Sequence, residues 1–144
     1  MLEIKTEKVI EATLEDTWKV LVNFSDYNDW NSLIPNISGK LAEGEKLIVQ
    51  IKPPGQKAAQ FKPHLTKVNE LCEFRWVGVF IMPILFRGEH YFQLTKISDE
   101  KTLFTQGEIF TGLLVPIVAK KLRENVKQGF ENMNDDLAKK LLSM

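Results

Sequence analysis

The sequence predicts an α+β fold in which a curved antiparallel sheet of seven strands wraps around one long C-terminal helix, with two short helices between the first and second strands. Three observations predict it. From Leu114 to Leu142 the residues Val115, Val118, Leu122, Val126, Phe130, Met133, Leu137 and Leu141 recur at three- and four-residue steps, with Lys and Glu mostly between them, which is one apolar stripe on a charged helix. Most of the preceding chain alternates with period two and is cut by short turns at regular spacing, the pattern of a meander. At 1.5 Å per residue the helix runs roughly 40 Å, about twice the length of an ordinary strand. Only a strongly curved sheet covers such a helix, and that shape makes a container.

In chain order, Leu2, Ile4 and Ile10 share one parity of a first strand, interrupted by Thr6 and Lys8. Thr13 then reads as an N-cap with Asp16 three residues on, opening a helix whose buried face is Leu14, Trp18 and Leu21. A helical turn follows over residues 25–30, rich in Asp and Asn. Strands are expected at 36–41, 47–52 (Leu47, Val49 and Ile51 on one face), 58–68, 72–80, 86–97 and 102–111. Pro63, inside the fourth, demands a bulge or an edge. Pro116 suits the first turn of the last helix, and Asp135 with Lys139 and Asp136 with Lys140 are acid-then-base pairs at the favourable spacing.

The 144 residues fit a single domain, 1–144, with a substantial core. Basic and acidic residues balance at 19 each, so no net field draws the chain to nucleic acid. The charged, alternating N-terminus does not read as a signal peptide, no run is long and apolar enough to cross a membrane, and the lone Cys72 cannot form an internal disulfide. A cytoplasmic protein is expected, with Cys72 buried and inert. No metal-ligand spacing, phosphate loop or dinucleotide fingerprint is present, so no metal and no cofactor is expected.

In a meander, successive loops alternate between the ends of the sheet. The connections at 53–57, between Val79 and Leu85, and at 112–116 therefore lie at one end. The second of these, VFIMPIL, is apolar, as are Leu113 to Val115, and loops are normally polar. This end reads either as a hydrophobic plug or as a portal making transient membrane or protein contact. Lys120, Lys121 and Arg123 lie near the helix start, against the macrodipole, and read as a solvated face or as a basic rim for an anionic head group.

The order of elements, together with YNDWN at 27–31, Gly39 with LAEG, Phe61 with Pro63, FRW at 74–76, GEHYF at 88–92, and Gln106, Glu108, Phe110 and Gly112 before LLVP, resembles the START-like (SRPBCC) superfamily of helix-grip folds, in its polyketide cyclase/dehydrase-like branch. The resemblance spans essentially the whole chain. It implies a deep, mostly apolar cavity between sheet and helix that takes lipids, polyketides or similar small hydrophobic molecules, with cyclase activity in some members. A fold of this kind does not by itself determine function.

His90 lies on the apolar parity of its strand, where an imidazole can move a proton or bond a ligand carbonyl; the alternative is a buried histidine satisfied by a neighbour. Glu108 is its natural partner, depending on hairpin register. Pairing Ser98 with Thr102 sets Phe92 opposite Glu108 and His90 opposite Phe110, all inward, whereas a two-residue turn at Asp99 and Glu100 turns Phe104, Gln106, Glu108 and Phe110 outward. Trp30, Phe61, Phe74, Trp76, Phe80, Phe92, Phe110, Leu122, Val126 and Phe130 are the candidate apolar walls, with His90, Gln106 and Glu108 as the polar groups. The leading expectation is binding or carriage of a small hydrophobic molecule. The alternatives are a cofactor-independent polyketide cyclase, aromatase or dehydratase using His90 and Glu108, and an interaction module acting through the apolar loop end. The sequence leaves the oligomeric state open.

Overall fold

In the computed structural model, which describes residues 1–80 and 82–144, the chain runs β1 (Leu2–Ile10), α1 (Leu14–Val22), a short 3₁₀ turn (Phe24–Asp26), α2 (Tyr27–Trp30), β2 (Asn36–Ser38), β3 (Ile48–Ile51), β4 (Ala59–Phe61), β5 (His64–Asn69), β6 (Glu73–Val79), β7 (Arg87–Ser98), β8 (Lys101–Thr111) and α3 (Val115–Leu142). Ile81, part of the apolar loop, lies outside the described residues. Thr13 caps α1 by accepting from the Asp16 N–H at 3.0 Å, satisfying one of the amides that the first turn leaves without a partner. Trp18 and Leu21 are buried as the spacing predicts, together with Thr17 and Val20, while Leu14 is only half-buried.

The expected seven-stranded sheet is instead, among the described residues, eight strands in two sheets, a five-stranded one ordered β1-β8-β7-β6-β5 and a three-stranded one ordered β2-β3-β4. Pro63 is the reason. It has no N–H to give a ladder, and the single strand expected over 58–68 breaks there into β4 and β5. The sheets stay joined beside the break. Lys46 bridges His64, the Leu47 N–H donates to the Pro63 carbonyl at 2.9 Å, and the Leu65 N–H donates to the Glu45 carbonyl at 2.9 Å. The chain thus turns a corner while its backbone groups remain paired.

The β7–β8 hairpin follows neither expected register. Its turn has two residues, Asp99 and Glu100, with Ser98 opposite Lys101, yet a bulge between Lys96 and Ser98 shifts the pairing so that Lys96 faces Thr102, Phe92 faces Gln106 and His90 faces Glu108. The extra residue restores the parity that the short turn would have lost. Burial of Phe104 and Phe110, at 0% and 2% exposure, is the gain that holds this register. Cys72, expected inside, is exposed, because the β5–β6 turn runs through Leu71 at φ 64° and β6 starts only at Glu73.

The core lies between the concave face of the sheet and α3. Along the C-terminal half of α3, Phe130, Met133, Asn134, Leu137 and Leu141 are buried; along the N-terminal half only Val115 is, and Val118, Leu122 and Val126 are half-buried. Gly129 marks the change: a Cβ there would press on Leu33 and approach Pro54, so its missing side chain serves close approach of the chain to α3. Among the described residues, no helix is long and apolar enough to cross a membrane.

Candidate functional site

Under the N-terminal half of α3 the sheet and helix flank a cavity of about 390 Å3 that opens to solvent past Gln56, Lys57, Ala59 and Lys121. Its lining comprises Leu33, Ile51, Pro53, Ala59 and Phe61 of β4, Phe80, Phe86, then His90, Glu108 and Phe110 on the five-stranded sheet and Val118, Leu122, Asn125, Val126 and Phe130 on α3. Gln56, Lys57 and Lys121 are exposed lining residues. The loops expected to share one end do so. Leu113 and Leu114 donate their N–H groups to the Ile84 and Leu85 carbonyls at 3.1 and 3.0 Å, and Gly112, at φ 124°, allows this because a Cβ there would strike the Leu85 carbonyl. The loop is not wholly a plug. Phe80, Leu85 and Phe86 are half-buried, whereas Val79, Met82, Ile84, Leu113 and Ile117 are 47 to 78% exposed.

Eight of the candidate site residues meet at the cavity: Phe61, Phe80, His90, Glu108, Phe110, Leu122, Val126 and Phe130. Four expected wall residues, Trp30, Phe74, Trp76 and Phe92, and one expected polar group, Gln106, do not line it. Phe74 is covered by Trp18 and Phe24 and stacks on Phe92, which in turn stacks on His90. Trp76 packs edge-on against His90 and Phe92. Trp30 is half-buried against Tyr27, with its indole N–H buried and without a partner among the described residues. These rings back the site because the first helices and the C-terminal half of α3 fill the space above them. Gln106, fully buried, stands behind His90. Sequence reasoning missed Leu33, Ile51, Pro53, Ala59, Phe86 and Val118 as lining. For Val118 the signal was in hand, since it continues the Leu122 and Val126 stripe by one turn.

His90 is 2% exposed and its ring lies among those of Trp76, Phe92 and Phe130, with centroids 5.2, 4.3 and 4.8 Å away. Its Nε2 lies 2.9 Å from Gln106 Oε1. Gln106 Nε2 donates to Asn134 Oδ1 at 2.8 Å, Asn134 Nδ2 donates to Thr6 Oγ1 at 2.8 Å, and the Thr6 hydroxyl donates to the Gln106 backbone carbonyl at 2.9 Å. Thr6 and Asn134 also went unseen, although each is a polar residue on an apolar stripe, Thr6 on the inward parity of β1 and Asn134 one turn beyond Phe130.

Glu108 stands directly across from His90, with Oε1 3.9 Å from Nδ1, and makes no hydrogen bond among the described residues. Its side chain is 12% exposed and lines the cavity. Gly88 leaves room for it, since a Cβ at that position would collide with Glu108 Oε2. Burial pushes Glu108 up to about 8, and burial brings His90 down to about 4 although the Gln106 hydrogen bond opposes this. Both shifts favour the uncharged forms, a carboxylic acid beside a neutral imidazole. Such a pair can offer one proton and accept another without burying a charge. Among the described residues, no three His, Cys, Asp or Glu side chains gather as metal ligands.

The family model described as polyketide cyclase / dehydrase and lipid transport matches residues 1–141. Among solved structures, the chain is similar to a START superfamily protein from Mycobacterium smegmatis, with 16% identity, 98% of this chain and 97% of that one covered, and a TM-score of 0.78. It is similar to the Zhui aromatase/cyclase from a Streptomyces species, at 10% identity, coverage of 98% and 93%, and a TM-score of 0.78. A third is the di-domain aromatase/cyclase StfQ of the steffimycin biosynthetic pathway, at 11% identity and a TM-score of 0.73, where 98% of this chain covers 50% of that one. No curated protein matches the sequence. At these identities the structural likeness speaks for the helix-grip fold alone, while the family match over nearly the whole sequence speaks for descent. The chain belongs to the polyketide cyclase/dehydrase and lipid transport family of the START-like superfamily.

Proposed function

We propose that the protein binds and carries a small, mostly apolar molecule in the cavity between sheet and α3, with the polar end of that molecule turned toward Glu108 and His90. The observation that carries this reading is the cavity itself: about 390 Å3, within the roughly 300–1,000 Å3 usual for small-molecule sites, with aromatic and aliphatic walls and two neutral polar groups at its buried end. Phe61, Phe80, Phe110, Leu122, Val126 and Phe130 are the proposed contacts, and Phe74, Trp76, Phe92 and Gln106 hold the contacting groups in place. Native mass spectrometry of protein purified from its own host, before and after organic extraction, tests the reading. A reproducible one-to-one hydrophobic ligand is the expected result. An empty protein that also fails to bind the neutral fluorophore N-phenyl-1-naphthylamine would sink it.

The pairing of a carboxylic acid with a bare imidazole nitrogen supports a second reading, a cofactor-independent cyclase, aromatase or dehydratase in which His90 and Glu108 move protons on a polyketide-like substrate. A His90→Ala variant that keeps ligand binding and loses turnover would favour it. The exposed apolar residues Val79, Met82, Ile84, Leu113 and Ile117 around the mouth support transient contact of that end with a membrane or protein partner during loading. Met82→Glu with Ile84→Glu would then abolish that association and leave cavity binding intact. A cytoplasmic location is proposed on the balanced charge and the absence of an internal disulfide.

A further inference from the structure

The hydrogen-bond chain behind His90 has a direction, and the direction decides what the cavity floor offers a ligand. A backbone carbonyl can only accept. The Thr6 hydroxyl therefore spends its proton on the Gln106 carbonyl and must accept from Asn134 Nδ2. That orients the Asn134 amide so that Oδ1 accepts from Gln106 Nε2, and Gln106 then has only Oε1 left to turn toward His90. An amide oxygen has no proton to give, so the imidazole must carry its proton on Nε2 and leave Nδ1 as a bare lone pair. Nδ1 is the nitrogen on the Glu108 side. The tautomer at the cavity is thus imposed by residues of β1, β8 and α3, none of which need touch the ligand.

Opposite Nδ1 stands a carboxyl with no hydrogen bond among the described residues, 3.9 Å away. That separation is too long for a direct hydrogen bond, but one oxygen atom can span it with two ordinary bonds of about 2.8 Å. The bridging atom must donate to Nδ1 and accept from the carboxylic acid. We propose that Glu108 and His90 together form a hydroxyl-recognition site, so that the ligand of this cavity is an apolar molecule bearing an alcohol, phenol or enol group at its buried end. An ether or ketone oxygen would leave Nδ1 unmatched. A carboxylate would set its own lone pairs against Nδ1, with the lining cations Lys57 and Lys121 on exposed positions. The inference rests on the cavity reading above.

The test is displacement of N-phenyl-1-naphthylamine by 2-naphthol, naphthalene, 2-methoxynaphthalene, 2-naphthoate and 2-naphthylmethylamine, all small enough for the cavity. The expected result is that 2-naphthol binds about tenfold more tightly than naphthalene or its methyl ether, since one net hydrogen bond is worth about that factor. Glu108→Leu should erase the difference and Glu108→Gln, whose amide still donates, should keep most of it. Nitrogen-15 NMR of His90 should show the proton on Nε2, and Asn134→Leu should loosen that tautomer and weaken the hydroxyl preference while fluorophore binding persists. Equal affinity for naphthol and its methyl ether, or a proton found on Nδ1, would overturn the inference and leave the cavity reading standing. Tighter binding of the naphthoate or the amine would overturn it in favour of a charged ligand. Should no compound and no fluorophore bind, both readings fall together.

Discussion

The two faces of the central sheet each hold a carboxyl group largely withdrawn from solvent, and they treat it in opposite ways. Glu73, on the convex face of β6, is 6% exposed, and burial alone would raise its pKa; hydrogen bonds from Lys67, Gln93 and Arg75 and the Arg75 charge outweigh that and bring it to about 2. Glu108, on the concave face of β8, has burial without a cation, and rises to about 8. The difference teaches that burial does not decide ionisation here; the partners do. On the outer face Arg75 also reaches Glu89 and lies 4.9 Å over the Tyr91 ring, so the charges lock neighbouring strands together. On the inner face the groups linked to His90, which are Thr6, Asn134 and Gln106, are uncharged amides and a hydroxyl, and among the described residues the unmet hydrogen-bonding capacity of the His90–Glu108 pair faces the cavity. One network is spent on the sheet, and the other is left available.

The largest effect should come from breaking the inner network. Gln106→Leu leaves the His90 Nε2–H and the Asn134 carbonyl buried without partners, and should cost about 3 kcal/mol by urea denaturation, at roughly 1–3 kcal/mol for each orphaned group. A loss no greater than that of an exposed pair would mean that water replaces Gln106.

The pH dependence separates the faces next. Folded Glu108 keeps its proton up to about pH 8 and the unfolded chain only to about 4.5, so between those values the folded state holds more protons and stability falls as pH rises. His90 acts the other way from about 4 to 6.5, where the unfolded chain holds more protons and stability rises with pH. Glu73 likewise makes stability rise between about 2 and 4.5, its contribution being lost as acid protonates it. From pH 6.5 to 8 only Glu108 of the three acts, so the melting temperature should decline across that window. Glu108→Gln should abolish the decline, and Glu73→Gln should leave it unchanged while flattening the acid limb.

A smaller effect should follow Gly88→Ala. Its Cβ would displace the Glu108 carboxyl, which is the movable tip of a side chain, so the stability cost should stay below about 1 kcal/mol in melting experiments while the preference for 2-naphthol over naphthalene falls. The smallest belongs to the convex face. Lys67 is 51% exposed and shares Glu73 with Arg75, so Lys67→Ala should change stability by about 0.5 kcal/mol or less. A larger loss would show that Arg75 alone does not hold Glu73 ionised.

Much of the fold was legible in the sequence because its signals are local. The stripe from Val115 to Leu141, the Thr13 cap, the alternation at Leu47 and Val49, and the interruption at Pro63 each depend on residues a few positions apart and on backbone rules that hold anywhere. The sequence by itself thus determined the order of helices and strands, apart from the split at Pro63, and the presence of an antiparallel sheet beside a long helix. What Pro63 did to the sheet, splitting one strand into two, depended on where Lys46 could meet His64 across the corner. The tertiary structure alone decided the site. A single extra residue near Ile97 sets whether Glu108 faces His90 or solvent, and packing of Phe104 and Phe110 selects between those registers. The chain from Thr6 through Asn134 and Gln106 to His90 joins groups up to 128 positions apart, a separation no periodicity encodes. Where α3 meets Phe130 and Met133 the interior is filled, and where it carries Val118, Leu122 and Val126 space remains, because side-chain volume summed across three elements, and not the pattern along one, decides whether a core is solid or hollow.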